Sequence, residues 1–476
     1  MITQILLTLM AVILVYYVCL QLVYLTLILI GANRLNKCYA DIHFGDLERV
    51  ENSPLTPPLS IIIPAYNEEK IIVETTLAAL KLRYPTHEVI VVNDGSTDTT
   101  MAQLIEHFHL HRVDRVVQQR LPSKPVLAVY HAENHPNLWL VDKVAGGKRA
   151  DAINAGVNLA SYPIICITDA DSVFEEDAML RVVRPFLRDS RVLAASGVVR
   201  VANGLRVEDG RITHFGLPKG MLPLVQEVEY LRSFLWARSG LALLGSMMCM
   251  SGAFTVVRKD AFIALGGADA STITDDIDFT VRLHKYIHEH HKGGRIAYVP
   301  DPVCFTEVPE TVRIYAAQRN RWQRGTLQAL LRQRHMTLNP RYGMAGMFGM
   351  PFFLLFEAAS APIELLGWII GIALVAMGVV SLADALLALL LAFVLTAVVS
   401  AAAIALMERS RRSVMRTADL LRLYFACVLE NFGFHQLHML VRVQGTFEYL
   451  VRRRTDLGAM VRYGSFQHSR EPVPQR

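Results

Sequence analysis

The sequence predicts a mixed α/β domain with a mostly parallel sheet, flanked by transmembrane and interfacial α-helices. In the middle of the chain, short β-branched runs alternate with helical stretches, and the runs end in polar residues, as in "LSIIIPAYNEE" and "PIICITDADS". This alternation predicts a mainly parallel sheet between two layers of helices. Long apolar segments at residues 4–31 and 347–407 exceed the roughly 20 residues that span a bilayer.

The composition is too apolar for a soluble protein of this length. Of the 476 residues, 52% are hydrophobic and 19% are charged, and the excess of apolar residues lies in those two segments. The net charge of +5 is modest, and we find no basic face with interleaved aromatics, which argues against a nucleic-acid partner. The six cysteines form no C-x-x-C pair, which favours a reducing compartment over a disulfide framework or a zinc site.

Residues 1–33 are expected to form an uncleaved N-terminal transmembrane helix. No charged side chain lies within 4–31 and no basic residue precedes it, whereas Arg34 and Lys37 follow. The positive-inside rule therefore predicts an outside N-terminus and a cytoplasmic end for this helix. A polar connector (34–57) ends in the prolines of "SPLTPPL", which mark a boundary. The central domain is expected over 58–335.

The second apolar region predicts an interfacial helix and transmembrane helices over 336–407. Residues 408–476 begin with a basic loop and continue with a polar-interrupted stretch at 419–450, which suits membrane-embedded or interfacial helices before a cytoplasmic tail. Glu364 and Glu430 lie inside these apolar stretches. Each either marks a functional site or pairs with a neighbouring helix.

Isolated carboxylates follow the predicted strands of the central domain, where an α/β sheet places its ligands. Asp169 and Asp171 form a D-x-D pair, which can hold Mg²⁺ or Mn²⁺ against a diphosphate; such pairs also cap helices. Asp94 in "NDGS" can accept hydrogen bonds from a base or ribose, or belong to a turn with an N-cap.

The stretch "TDDID" offers a candidate general base in Asp276, because three crowded acids can keep one carboxylate basic. The alternative is ordinary acidic charge at a helix N-terminus. In "QRNRW", Arg321 can bind a diphosphate and Trp322 can stack on a sugar, or the pair can serve core packing and a surface salt bridge. The run "HEHHK" is better explained as a solvated helix end than as a metal site.

Seven motifs in order carry a resemblance to a known family: "PAYNEE", "VNDGSTD", "GGKRADAINAG", "TDADS", "SGAFTVVRKDAF", "TDDID" and "QRNRWQRG". Together they resemble the membrane-integrated family-2 glycosyltransferases, and among these the processive cellulose, hyaluronan and poly-N-acetylglucosamine synthases. The resemblance covers residues 58–335 and extends to the flanking membrane segments. It implies a GT-A-type nucleotide-sugar-binding domain.

The resemblance also implies roles for individual residues. The residues expected to bind the donor are Tyr66, Glu68, Asp94, Lys148, Asp169 and Arg321. The residues expected to bind the acceptor are Ser251, Gly252, Gln318 and Trp322. Asp169 and Asp171 would bind Mg²⁺ or Mn²⁺, and Asp276 would be the catalytic base.

Two departures from the family pattern stand out. Asp275 occupies the middle of a motif that usually has Glu, although Asp276 stays in register. After residue 408, nothing resembles the cyclic-di-GMP-sensing barrel of bacterial cellulose synthases, so regulation by that nucleotide through this chain is not expected.

The implied function is an inverting β-glycosyltransferase that uses UDP-N-acetylglucosamine or UDP-glucose to elongate and export an extracellular polysaccharide. The resemblance implies a multi-pass protein of the bacterial inner membrane with a cytoplasmic catalytic domain and accessory membrane or periplasmic subunits. One alternative is a non-processive transferase that glycosylates a membrane lipid. Another is a non-catalytic scaffold or receptor that binds glycan or nucleotide, which the intact acidic set argues against.

Overall fold

A computed structural model describes residues 1–44, 47–409 and 416–456. They form two compact units, a sheet unit from residues 40–223 and 249–308 and a helical unit from residues 1–39, 224–248 and 309–456. Arg411, Arg412 and the predicted cytoplasmic tail beyond residue 456 lie outside the described residues.

All described strands belong to the sheet unit. They are β1 (Leu59–Ala65), β2 (His87–Asn93), β3 (Leu110–Val113), β4 (Val126–Ala132), β5 (Leu138–Lys143), β6 (Ile164–Thr168), β7 (Ser172–Phe174), β8 (Val192–Val201), β9 (Arg206–Glu208), β10 (Arg211–His214), β11 (Phe254–Arg258) and β12 (Arg295–Thr306). A ten-stranded sheet has the order β3-β4-β5-β2-β1-β6-β11-β8-β12-β7, and β9 and β10 form a separate hairpin.

The described helices are distributed over both units. They are α1 (Ile2–Phe44), α2 (Leu47–Glu51), α3 (Ile72–Leu80), α4 (Thr100–Phe108), α5 (Arg149–Leu159), α6 (Ala178–Arg188), α7 (Met221–Tyr230), α8 (Arg238–Leu243), α9 (Lys259–Ala264), α10 (Asp275–His290), α11 (Val312–Arg332), α12 (Met350–Phe352), α13 (Ser360–Ala376), α14 (Leu382–Arg409), α15 (Thr417–Leu429) and α16 (His435–Leu450). π-Helical turns join several of them, at Leu231–Ala237, Ala345–Gly349, Phe353–Ala358 and Glu430–Phe434.

The predicted mixed α/β fold is confirmed, and its centre is parallel. Strands β5, β2, β1 and β6 run in one direction, whereas β11 is antiparallel to both β6 and β8. The run Ile61–Ile63 is fully buried on both faces of the sheet, as is Ile90–Val92 in β2. Such continuous β-branched runs are what a parallel strand covered on both faces requires.

Two helices are long and apolar enough to cross a membrane, within the part of the chain that the structure describes. They cover Ile2–Ala32, close to the apolar segment at 4–31, and Leu382–Glu408, in the second apolar region. A third candidate is the pair Ala345–Ala358 and Ser360–Ala376, which bends by 44°. The chain therefore has the helices of a membrane protein.

The polar-interrupted stretch at 419–450, predicted as membrane-embedded or interfacial helices, is largely covered by α15 and α16. The backbone between them is not helical at Phe432 and Gly433, and Gly433 has a φ of +85°. This left-handed conformation is easily reached only by glycine, which explains why the helix breaks there.

The two carboxylates inside the apolar stretches pair with neighbouring helices. Arg232 Nη1 donates to Glu430 Oε1 at 2.5 Å, and the Ser400 hydroxyl lies 3.2 Å from the same oxygen. Glu364 Oε1 lies 2.9 Å from His435 Nε2. The pairing interpretation therefore accounts for both Glu364 and Glu430.

We predict that Arg232→Leu destabilises the protein by about 3 kcal/mol, because it leaves the buried Glu430 carboxylate without its cation. The double variant Arg232→Leu/Glu430→Leu should recover most of this loss, since it removes both charges. Thermal denaturation in detergent measures both. As a control, Arg191→Leu breaks an exposed pair with Asp189 and should change stability by less than about 0.5 kcal/mol. A double variant less stable than Arg232→Leu would contradict the prediction.

Candidate active site

The ends of the central strands bring the predicted donor residues to one edge of the sheet. Ala65 of β1 is aligned with Asn93 of β2, and Asn93 with Asp142 of β5. The residues that follow β1 and β2 therefore lie side by side, and β6 ends next to them. Ligands of open α/β sheets bind at this edge.

Asp94, which follows β2, is held by a buried lysine. Lys143 at the end of β5 is fully buried, and its ammonium group bonds the Asp94 carboxylate and lies 2.5 Å from Asp151 Oδ2. The Gly146 N–H donates to Asp94 Oδ1 at 2.8 Å. A Cβ atom on Gly146 would lie 2.3 Å from Asp151 Oδ2, so only glycine lets the chain pass this cluster.

The loops after β1 and β2 are joined by hydrogen bonds. Ser96 Oγ accepts from the Asn67 N–H at 3.1 Å, and Asn67 Oδ1 accepts from the Thr97 N–H at 2.8 Å. The Glu68 N–H donates to Thr100 Oγ1 at 2.8 Å. The two predicted donor-binding motifs thus form one rigid wall of the site.

Tyr66 and Lys148 complete the predicted donor residues of the sheet unit. The Tyr66 side chain is 55% exposed, so its ring is accessible to a ligand at the edge of the sheet. Lys148 Nζ donates to the Thr272 carbonyl at 3.3 Å, which holds the lysine near the loop that leads into α10.

Arg149 connects three separate segments of the site. Its Nε donates to Asp169 Oδ1 at 2.7 Å, its Nη2 donates to the Gly252 carbonyl at 2.6 Å, and its Nη1 bonds the Asp275 carboxylate. Burial lowers the pKa of the guanidinium, but Asp169, Asp275 and Asp276 raise it by more. Arg149 is therefore a permanent cation among carboxylates.

Asp276 and the turn that contains Ser251 and Gly252 are in direct contact. Asp276 Oδ2 accepts from the Gly252 N–H at 3.2 Å, and Oδ1 accepts from the N–H of Ile277 at 2.9 Å. The second bond is the helix N-terminal interaction that the sequence offered as an alternative, and it coexists with the first. Ser251 is buried, and its carbonyl accepts from Thr255 Oγ1. The predicted base and the predicted acceptor turn thus adjoin.

The two acids of the D-x-D pair differ in accessibility. The Asp169 side chain is 27% exposed, whereas Asp171 is 1% exposed and accepts from Thr306 Oγ1 at 3.1 Å. No group of three or more His, Cys, Asp or Glu side chains that could hold a metal occurs in the described ranges. One accessible carboxylate fits Mg²⁺ or Mn²⁺, which take one or two protein ligands and complete their shell with phosphates and water.

The remaining predicted residues, Gln318, Arg321 and Trp322, lie on α11 of the helical unit. Gln318 is buried and Trp322 is partly exposed. Beside them, the guanidinium of Arg319 lies 4.2 Å from the centroid of the Trp322 ring. The structure therefore separates the predicted site residues into a sheet-unit group and an α11 group.

Sequence reasoning missed Lys143, Arg149 and Arg319. Arg149 had a visible signal, because it follows Lys148 directly in a segment rich in glycine and charge. Lys143 is the charged last residue of a strand whose first four residues are apolar, and a charge in that position requires a counter-ion nearby. Arg319 lies at a variable position of the Q-x-x-R-W pattern and offered no signal.

A mixed sheet with a parallel centre, whose carboxylates gather around the ends of β2 and β6 and the start of α10, defines a GT-A-type nucleotide-sugar-binding domain. The chain belongs to the glycosyltransferase-like family 2, whose model matches residues 57–325. The mannosyltransferase PcManGT from Pyrobaculum calidifontis, solved with GDP-Man and Mn²⁺, has a similar fold, with a TM-score of 0.52, 19% identity and coverage of 89% of this chain and 99% of that one.

Curated relatives include two bacterial synthases. The chain is 28% identical over 283 residues to poly-β-1,6-N-acetyl-D-glucosamine synthase of Staphylococcus epidermidis, which covers 60% of this chain and 58% of the relative. It is also 28% identical over 301 residues to the enzyme of the same name from Staphylococcus aureus (strain COL), with coverages of 63% and 60%. The match thus spans less than two thirds of these relatives.

We predict that Lys143→Met destabilises the sheet unit by about 3–5 kcal/mol, because Asp94 and Asp151 lose a fully buried cation. Thermal denaturation of the whole protein measures the loss. Lys124→Met is the matched control, since that lysine side chain is exposed and its removal should cost less than about 0.5 kcal/mol. Equal melting temperatures for the two variants would show that the buried pair contributes nothing.

Proposed function

We propose that this protein is an inverting β-glycosyltransferase that takes a UDP-sugar, UDP-N-acetylglucosamine or UDP-glucose, and extends a glycan acceptor. Membership of the glycosyltransferase-like family 2 supports the reaction class. The single observation that carries the mechanism is the contact between Asp276 and the Gly252 backbone, which puts a carboxylate beside a turn suited to an acceptor.

The donor would bind at the carboxyl edge of the sheet. Asp94, Tyr66 and Glu68 would hold the uracil and ribose, and Lys148 the diphosphate, with Arg321 as a second cation. The fixed Asp94 carboxylate and the hydrogen-bonded loops after β1 and β2 support this assignment, because a preorganised binding surface loses little entropy when a ligand binds.

Asp169 would bind a divalent cation through its accessible carboxylate, and the buried Asp171 would add a second acidic side chain to this metal site. When bound, the metal would neutralise charge on the departing diphosphate. The accessible oxygen of Asp169 and the excess of carboxylates over Arg149 in this cluster favour a cation there.

In the transfer step, Asp276 would take the proton of an acceptor hydroxyl as its oxygen attacks the anomeric carbon. The new bond joins acceptor oxygen to that carbon, the carbon–phosphate oxygen bond breaks, and UDP leaves with the electron pair. Attack opposite the leaving group converts an α-linked donor into a β-glycoside. Ser251, Gly252, Gln318 and Trp322 would orient the acceptor.

We further propose that the product is a polysaccharide, elongated at and exported across the bacterial inner membrane, with the catalytic domain cytoplasmic. The names of the staphylococcal relatives and the candidate membrane helices support this proposal. Accessory membrane or periplasmic subunits would complete the export system.

We predict that the purified, detergent-solubilised protein incorporates radiolabel from one UDP-sugar into high-molecular-weight glycan. Asp276→Asn should lower the rate by about 10²–10⁴-fold, the usual contribution of a general base, and should leave donor binding intact. Asp275→Asn is the matched control and should lose less, because Asp275 contacts Arg149 rather than Gly252.

The distribution of label separates the proposal from its rivals. Label confined to an organic-extractable lipid would favour the lipid-acceptor alternative. Donor binding without turnover in the wild type and in Asp276→Asn alike would favour a scaffold. Equal transfer rates for Asp276→Asn and the wild type would refute the assignment of the base.

Metal dependence is the second prediction for this reaction. EDTA should abolish transfer, and added Mn²⁺ or Mg²⁺ should restore it. Asp169→Asn should weaken Mn²⁺ binding, measured by electron paramagnetic resonance, at least tenfold, because it removes the accessible carboxylate. Asp260→Asn, an exposed acid on α9, is the control. Full activity in EDTA would overturn the metal assignment.

A further inference from the structure

Three side chains form a stack along one face of α11. Tyr315, Arg319 and Trp322 are spaced by four and three residues, which places them together on the helix surface. The guanidinium carbon of Arg319 lies 5.0 Å from the Tyr315 ring centroid and 4.2 Å from that of Trp322. Both distances lie within the range of a cation–π interaction.

Contacts with two other helices of the helical unit fix this stack. Arg319 Nη2 donates to Glu229 Oε2 of α7 at 2.8 Å. The Tyr315 hydroxyl lies 2.9 Å from His438 Nδ1 of α16. The guanidinium therefore has a set position and a set plane, and it covers one face of the Trp322 indole.

The stability of the helical unit does not by itself explain why residue 319 is an arginine. Arg319 is 1% exposed, and among the described residues its Nε and Nη1 atoms have no partner in hydrogen-bond geometry, although the Tyr315 side chain lies close to the guanidinium. Buried donors without partners cost free energy, and replacing both members of a buried ion pair by packed apolar side chains is often neutral or stabilising. Apolar side chains in place of both Arg319 and Glu229 would therefore fill the same space without loss, so the geometry of Arg319 offers a better explanation than stability.

We propose that Arg319 is a positioning residue for acceptor binding: it covers one face of Trp322 and fixes the plane of the indole, leaving the opposite face for the acceptor sugar. This inference rests on the proposed function, in which Trp322 stacks on the acceptor. Arg319 stands at one of the two variable positions of the Q-x-x-R-W pattern, so neither the pattern nor the resemblance assigns it a role.

A double-mutant cycle with Arg319→Met and Trp322→Ala tests the proposal. Arg319→Met should raise the KM for a short oligosaccharide of the donor sugar by about 3–30-fold, the range of one desolvated cation–π contact. The kcat at saturating acceptor should change much less, although the melting temperature should fall, because Glu229 loses its cation. In the Trp322→Ala background the same substitution should have no further effect on KM.

Two further variants complete the design. Arg319→Lys keeps the charge but lacks the planar guanidinium, so its KM should lie between those of the wild type and Arg319→Met; it carries the test if Arg319→Met does not fold. Arg332→Met removes an exposed arginine from the end of the same helix and should leave the acceptor KM unchanged.

A spectroscopic measurement separates failure of this inference from failure of the proposed function. With 5-fluorotryptophan incorporated, the ¹⁹F resonance of Trp322, assigned with Trp322→Phe, should shift in Arg319→Met and not in Arg332→Met. A wild type without glycosyl transfer would refute the proposed function and leave this readout valid. Additive effects on KM in the cycle, or an unmoved resonance, would overturn the role of Arg319.

Discussion

Negative charge concentrated at one edge of the sheet is the constraint on which the site depends. Asp169, Asp275 and Asp276 come from segments more than 100 residues apart, and like charges at such short range repel. The guanidinium of Arg149 offsets this repulsion by binding two of the carboxylates and the Gly252 carbonyl. One positive charge among three acids leaves a net negative field, which attracts a further cation.

A second cation, the buried Lys143, lies at the other end of the loop that precedes Arg149. Lys143 ends β5 and Arg149 begins α5, so residues 144–148 are anchored by ion pairs on both sides. Gly147 within this loop has a φ of +68°, a backbone conformation that suits glycine. Lys148 therefore lies in a loop with little freedom, which suits the diphosphate-binding role proposed for it.

Much of the fold follows from local patterns, whereas the ionic partners do not. The run Ile61–Ile63 predicts a buried strand, and the polar residues after it predict the edge of a sheet. The spans at both ends follow from hydropathy alone. By contrast, the partners of Lys143 and Arg149 lie up to 126 residues away along the chain, and only the tertiary fold brings them close.

The same reasoning explains which site features escaped sequence analysis. Asp94 and Asp169 could be chosen because they follow recognisable strands. The difference in exposure between Asp169 and Asp171 could not, because it depends on Thr306 at the end of a distant strand. The role proposed for Arg319 depends on the helices that contact α11, and helix packing is not encoded in any short motif.

Hydrogen bonds join the loop after β1 to the loop after β2, so the two loops form a single rigid unit. Asn67 is held by Ser96 and Thr97, and Glu69 and Asp98 each accept a backbone N–H from the opposite loop. Substitutions on one side therefore change the shape of the other. Among related chains, residue choices at 67–69 should covary with those at 96–100, and a chimaera that exchanges one of these loops has to exchange the other with it.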